Sequence, residues 1–124
     1  MDKWISLAIG GIMGVFARYL LATWVYSMAG TAFPYGTLIV NVSGCLLIGI
    51  FESWAGTRGI LSPVARLFLM TGFCGAYTTF STLILETSNL VNDGELTRAF
   101  VNYLGSGIFG FALFRLGELL GRII

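Results

Sequence analysis

The sequence predicts an all-α integral membrane protein with four transmembrane helices, and three observations predict it. The 124 residues are 56% hydrophobic and only 10% charged, whereas a water-soluble domain carries about 25% charged residues to cover its surface. Four apolar segments, at about 4–27, 36–55, 65–91 and 97–121, each reach the roughly 20 residues that cross a hydrocarbon core. The separators MAGTAFPYG, GTRGILSP and VNDGEL carry Pro and Gly turn chemistry and are too short for an extramembrane domain. The chain therefore reads as a single transmembrane domain over 1–124. Composition also excludes other classes. There is no His, which removes His-based zinc sites and the commonest general base. A net charge of +1 leaves no footprint for nucleic acid. Cys45 and Cys74 stand apart from any metal-ligand spacing and read as small buried residues.

The first span follows MDKW and reads as a retained helix: its apolar run is too long for a signal peptide, and no small-residue cleavage site precedes Arg18. Gly10, Gly14 and Arg18 recur at i, i+4 and share one face. The second span places Asn41 one turn after Thr37, with Gly44 nearby on the same face. The fourth gathers Asn102, Tyr103 and Ser106 near its start. Gly10-x₃-Gly14 and Gly117-x₃-Gly121 fit close helix packing. Trp4, Trp24 and Trp54 lie near span ends, as belt aromatics do. Glu52 and Glu118 also lie near ends and read as solvated.

The third span is unusual. As one continuous helix, residues 66–91 would run about 39 Å against a hydrocarbon core of about 30 Å. Its midpoint, GFCGAYTTFSTL (72–83), is rich in Gly, Thr and Ser, which are poor helix formers. Backbone that leaves the helix at membrane depth is tolerated only when buried in protein or lining a water-filled cavity. A third helix broken at its centre would release the carbonyls of Gly75 to Thr78 as an ion site. The alternative is an unbroken Gly/Thr-rich helix whose hydroxyls bond back to their own turn.

Polar groups inside a bilayer are costly and mark function by default. Here amide, phenol and hydroxyl donors outnumber charges, with Arg18 as a cation and Glu86 at the end of the polar side of the third span. A pathway so lined favours an anion that accepts hydrogen bonds. Asn41 has a plainer alternative as an interhelical contact worth about 0.6 kcal/mol. Four helices are too few to leave a lumen among themselves, so an oligomer is expected, most simply a symmetric dimer.

GGIMGVFARY in the first span, GTLIVNVSG in the second and GFCGAYTTFST in the third resemble the signature of the Fluc (CrcB) fluoride channels, and the resemblance runs the length of the chain. It implies an antiparallel, dual-topology homodimer in the bacterial inner (plasma) membrane, with two pores that export fluoride passively. It also implies a sodium ion at the dimer centre, held by backbone carbonyls that fall here on Gly75 and Thr78. The pore asparagine falls on Asn41, the motif arginine on Arg18 and the first pore phenylalanine on Phe80. Pore-facing hydroxyls fall on Ser81 and Thr82, with Tyr103 and Ser106 on the polar face of the fourth span. One departure stands out: the family run reads TTFSTF, whereas this chain reads TTFSTL, so Leu83 replaces a second phenylalanine. A ring edge is electropositive and can face an anion; Leu has no such quadrupole.

Charge counting gives a different topology. An even number of spans puts both termini and the 56–65 loop on one side, with Lys3, Arg58, Arg66 and Arg122, against Arg98 on the other. The positive-inside rule then places the termini in the cytoplasm, but few residues carry that count, and the resemblance is preferred. Two other functions compete. A small multidrug exporter needs a carboxylate deep in its first span, where this chain has Arg18 and no Glu. A non-conducting assembly subunit would pack through its glycine faces but leaves the polar third span without a purpose. A membrane enzyme has no paired carboxylates and no nucleophile beside a base to work with.

Overall fold

The computed structural model describes residues 2–124. Among these residues there is no strand, and four helical stretches are long and apolar enough to cross a membrane: Lys3–Ala29, Tyr35–Ala55, Pro63–Asn92 and Leu96–Ile123. Their ends lie at most two residues outside the limits expected from hydropathy, because local caps set them. Helix α1 (Lys3–Ala29) opens on Asp2, whose carboxylate accepts the Trp4 N–H at 2.6 Å, and closes on Gly30 at φ 79°. That left-handed backbone suits glycine and stops the helix. Helix α2 (Tyr35–Ala55) starts after Pro34. The third span begins with α3 (Pro63–Arg66), where Ser62 accepts the Ala65 N–H and Pro63 occupies the first turn. The arginines here are tethered to helix ends. Arg66 donates to the Ala55 carbonyl at 2.7 Å and Arg58 to that of Gly121 at 3.4 Å, placing cations at the negative ends of α2 and α6.

The third span is not one regular helix. After α3 the backbone widens into a π-helix over Leu67–Cys74, then returns to α4 (Gly75–Tyr77). Thr78 (φ −88°, ψ 157°) and Thr79 (φ −149°, ψ 108°) are extended, and α5 (Phe80–Asn92) follows. The π-helical stretch had no counterpart in the sequence reading. Helix α6 (Leu96–Ile123) completes the chain.

Packing runs through small residues. Helix α2 lies most extensively against α6, and α1 lies against the π-helix and α4. A Cβ at Gly14 would overlap the Phe73 carbonyl oxygen, and one at Gly117 would overlap that of Leu46. The backbones touch there, so no larger residue fits. The interior is accordingly rich in Gly, Ala, Ser and Thr, with Asn102, Val40, Cys74, Tyr77, Leu83 and Leu90 among its larger members, while Phe16, Leu20, Ile108, Phe109 and Phe111 face outward. Lipid is the solvent that suits such a surface.

Candidate functional site

The site is organised around one side chain and one peptide. Asn41, nearly two turns into α2, accepts the Thr79 N–H through Oδ1 at 2.7 Å and donates to the Thr79 carbonyl through Nδ2 at 3.1 Å. The amide thus replaces both hydrogen bonds that an extended peptide would otherwise lack inside a bilayer. Asn41 keeps one amide hydrogen free for another acceptor.

This clasp changes the hydrogen-bond ladder. In an uninterrupted α-helix, the Thr79 N–H would bond to the Gly75 carbonyl and the Thr82 N–H to that of Thr78. Here the first goes to Asn41 and the second to the Thr79 hydroxyl, which caps α5 at 3.3 Å. The Gly75 and Thr78 carbonyls are released from the ladder. The Thr78 hydroxyl and N–H both return to the Cys74 carbonyl, at 2.9 and 3.1 Å, which closes the preceding turn.

Three cavities border the clasp. The smallest, of about 270 Å³, is lined by Asn41, Gly75, Thr78, Thr79, Phe80 and Leu83 among others, and two larger ones divide the remaining predicted residues. One, of about 610 Å³, is lined by Asn41, Phe80, Leu83, Tyr103 and Ser106 together with aliphatic and aromatic residues of α6. Phe80 is 67% exposed and Leu83 only 7%, yet both reach this cavity, as their i, i+3 spacing requires. The Ser106 hydroxyl is buried and finds no partner among the described residues. Beside it Asn102, 1% exposed, donates to the Thr87 hydroxyl at 3.0 Å, and that hydroxyl donates to the Leu83 carbonyl at 2.7 Å.

The second cavity, of about 420 Å³, is lined by Arg18, Tyr26, Thr37, Thr79, Thr82 and Glu86 among others. The Glu86 carboxylate accepts from the Tyr26 phenol at 3.0 Å and from the Thr37 hydroxyl. Thr82 accepts from the Thr79 hydroxyl at 3.0 Å. The sequence-predicted residues are therefore brought together as two groups. Asn41, Phe80, Leu83, Tyr103 and Ser106 share one cavity, Arg18 and Thr82 the other, and Thr79 stands between. Ser81 is exposed, its hydroxyl 3.4 Å from that of Thr79, and it lines none of the three cavities. Tyr26 escaped the sequence reading. A signal existed: Tyr26 lies four residues before Gly30 and Thr37 three after Pro34, and antiparallel neighbours across a short connection face each other.

Over residues 5–118 the chain matches the family described as CrcB-like protein, Camphor Resistance (CrcB). The chain belongs to the CrcB family. Among its relatives is a fluoride-specific ion channel FluC of Trichormus variabilis, 42% identical over 96% of this chain and 88% of the relative. Another protein of that name, from Acidobacterium capsulatum, is 43% identical over 98% of both chains. One from Maridesulfovibrio salexigens is 41% identical over 100% of this chain and 98% of its own. These CrcB relatives are named as channels, not enzymes.

The donor chemistry of this CrcB chain can be tested against the sodium that the resemblance implies. A hard cation takes oxygen ligands, several at once. The Gly75 and Thr78 carbonyls are oxygens freed from the helix, and Gly75 is exposed, so they fit. Two oxygens make only part of a coordination shell, and a second copy of the chain would have to complete it. Among the described residues no group of three or more Cys, Asp or Glu could hold a metal instead.

Proposed function

We propose that this chain forms a passive, fluoride-selective channel in the bacterial inner membrane, as an antiparallel dual-topology homodimer with two pores. Its relatives' name supports the ion, and the Asn41–Thr79 clasp carries the mechanism. Fluoride is small and strongly hydrated, so each step along the path has to replace water by a hydrogen-bond donor. The free amide hydrogen of Asn41, the unpartnered Ser106 hydroxyl and the Tyr103 phenol supply such donors at one cavity. Phe80 adds an electropositive ring edge. Thr82 and Arg18 line the second cavity, and Ser81 lies beside it in sequence, outside all three cavities.

These donors are mostly neutral. Conduction needs sites that bind well enough to admit an ion and weakly enough to let it leave. In this reading sodium at the dimer centre, held by the Gly75 and Thr78 carbonyls of both copies, is a fixed structural charge. No covalent step and no energy source is involved.

Purified protein in liposomes tests this directly. A fluoride gradient should discharge while a chloride gradient holds. Equal rates for the two ions would overturn the proposal, and flux that requires a proton gradient would replace the channel by a pump.

A further inference from the structure

Tyr77 is the one bulky side chain on the short helix that precedes the break. That helix, Gly75–Tyr77, has only Gly75 and Ala76 as its other members. Tyr77 is 5% exposed. Its hydroxyl lies 2.8 Å from that of Ser43 on α2, and the Ser43 hydroxyl lies 3.0 Å from the Val40 carbonyl. A carbonyl can only accept, and a serine hydroxyl has one hydrogen. Ser43 therefore donates to Val40 and accepts from Tyr77, so the Tyr77 hydrogen is directed at α2. The ring is held as well: it stacks on Phe73 at 5.5 Å and 13°. Gly44 leaves the space for it, because a Cβ there would stand 3.1 Å from the Tyr77 ring and overlap the Thr78 methyl. Neither Ser43 nor Tyr77 borders any of the three cavities at the clasp.

Resting on the cation proposed at Gly75 and Thr78, we infer that the Tyr77–Ser43 hydrogen bond is a second latch on the break, and that Tyr77 is a positioning residue for those two carbonyls. The Asn41 clasp holds Thr79, which lies beyond both. The Thr78 bonds to the Cys74 carbonyl close the turn on itself and tie it to no other helix. Helix α1 supports the turn by close contact of Gly14 with Ala76 and the Tyr77 nitrogen. Such contact sets a distance, whereas a hydrogen bond is directional and also sets an angle. Tyr77 stands between the two carbonyl-bearing residues, so fixing its ring on α2 fixes the direction of both oxygens. The contacts run in order: Asn41 meets Thr79, Gly44 meets Thr78, and Ser43 meets Tyr77. At this depth no water replaces a lost partner. The phenol touches no cation and acts through the carbonyls alone.

The test titrates full-length protein in detergent with sodium, potassium making up the ionic strength, and reads the dimer fraction by mass. Tyr77→Phe keeps the ring and its stack and loses only the hydroxyl. Its sodium midpoint should rise about fivefold, the equivalent of one neutral hydrogen bond, while the dimer fraction at saturating sodium matches that of the parent. Ser43→Ala removes the same bond from α2 and should give the same rise. The double variant should shift no further than either single one, because the two residues share one interaction. If Tyr77→Phe fails to fold, Ser43→Ala carries the test by itself. A hydroxyl that served stability alone would lower the melting temperature equally with and without sodium and leave the midpoint in place. That outcome, or a double variant whose shift is the sum of the two, overturns the latch. A parent dimer insensitive to sodium overturns the cation reading and the latch together. A sodium-sensitive parent with unmoved variant midpoints overturns the latch alone.

Discussion

Asn41 holds the Thr79 backbone on both of its polar groups, accepting its N–H at 2.7 Å and donating to its carbonyl at 3.1 Å. The two residues lie 38 positions apart. Only the amide among common side chains offers a donor and an acceptor in one plane to match a peptide.

Asn41→Asp tests that match. The carboxylate still accepts the Thr79 N–H but offers nothing to the Thr79 carbonyl, and its charge opposes an incoming anion. An unmet buried acceptor costs about 1–3 kcal/mol. Fluoride flux in liposomes should fall by about tenfold or more, the equivalent of about 1.4 kcal/mol on the barrier. Flux at the parental rate would return Asn41 to a purely interhelical role.

Leu83→Phe addresses the departure from the family motif. Leu83 borders a cavity of about 610 Å³ together with Phe80, so a ring can extend into space without overpacking. The variant gains a second electropositive edge at i+3 from Phe80. Fluoride throughput should rise, with the melting temperature in detergent within a few degrees of the parent. Unchanged flux would show that position 83 contributes only packing.

The spans were legible because hydropathy is a sum over many residues, and a few errors do not alter it. The glycine faces were legible for a similar reason: Gly10 and Gly14, like Gly117 and Gly121, repeat at helical spacing, and each pair packs against backbone or side chain of a neighbouring helix. The polarity of the third span pointed to the right segment. Its geometry was hidden. Helical dihedrals continue through Tyr77 and only Thr78 and Thr79 depart from them, because the partner that stabilises the extended peptide sits on another helix. Arg18 and Tyr26 of α1, Thr37 of α2 and Glu86 of α5 likewise border one cavity from three helices, and i, i+4 patterns report only neighbours on the same one.

Glu86→Gln probes the second cavity. The carboxylate accepts from both Tyr26 and Thr37, and hydrogen bonds to a charged group contribute about 1.5–3 kcal/mol against about 1 for neutral ones. The carboxamide keeps one acceptor and turns an NH₂ towards the second hydroxyl. Stability should drop by about 1–3 kcal/mol, read as a lower melting temperature in detergent. Tyr26→Phe in the same background should then cost less than it does alone, because the bond it removes is already weakened.

Gly117→Leu asks whether α2 and α6 depend on backbone contact. A Cβ at this position already overlaps the Leu46 carbonyl, and rigid backbone has little room to yield. Overpacking of this kind costs about 1–3 kcal/mol or more. The expected result is poor yield and a melting temperature well below that of Gly107→Leu. The Cβ of that control meets nothing within 4 Å among the described residues.

Gly75 gives the sharpest test of the assembly. Within one chain a side chain here crowds nothing. Among the described residues, an added Cβ meets the Met70 carbonyl at 3.9 Å, an ordinary contact, and nothing closer. Gly75 also has helical dihedrals, φ −62° and ψ −35°. Alanine in a helix is favoured over glycine by about 1 kcal/mol, so Gly75→Ala should stabilise an isolated chain slightly. Any loss must come from something outside the chain. If two copies meet at Gly75 and Thr78 with a cation between them, the added methyl separates the copies and displaces carbonyl oxygens. Sodium-dependent dimer stability, measured by crosslinking or by mass in detergent, should then fall while helix content is unchanged. Gly75→Ala dimers that persist equally with and without sodium would rule out an ion at this position. Thr78→Ser is the matched control: it retains the carbonyl and the hydroxyl bond to Cys74, and should leave the sodium dependence intact.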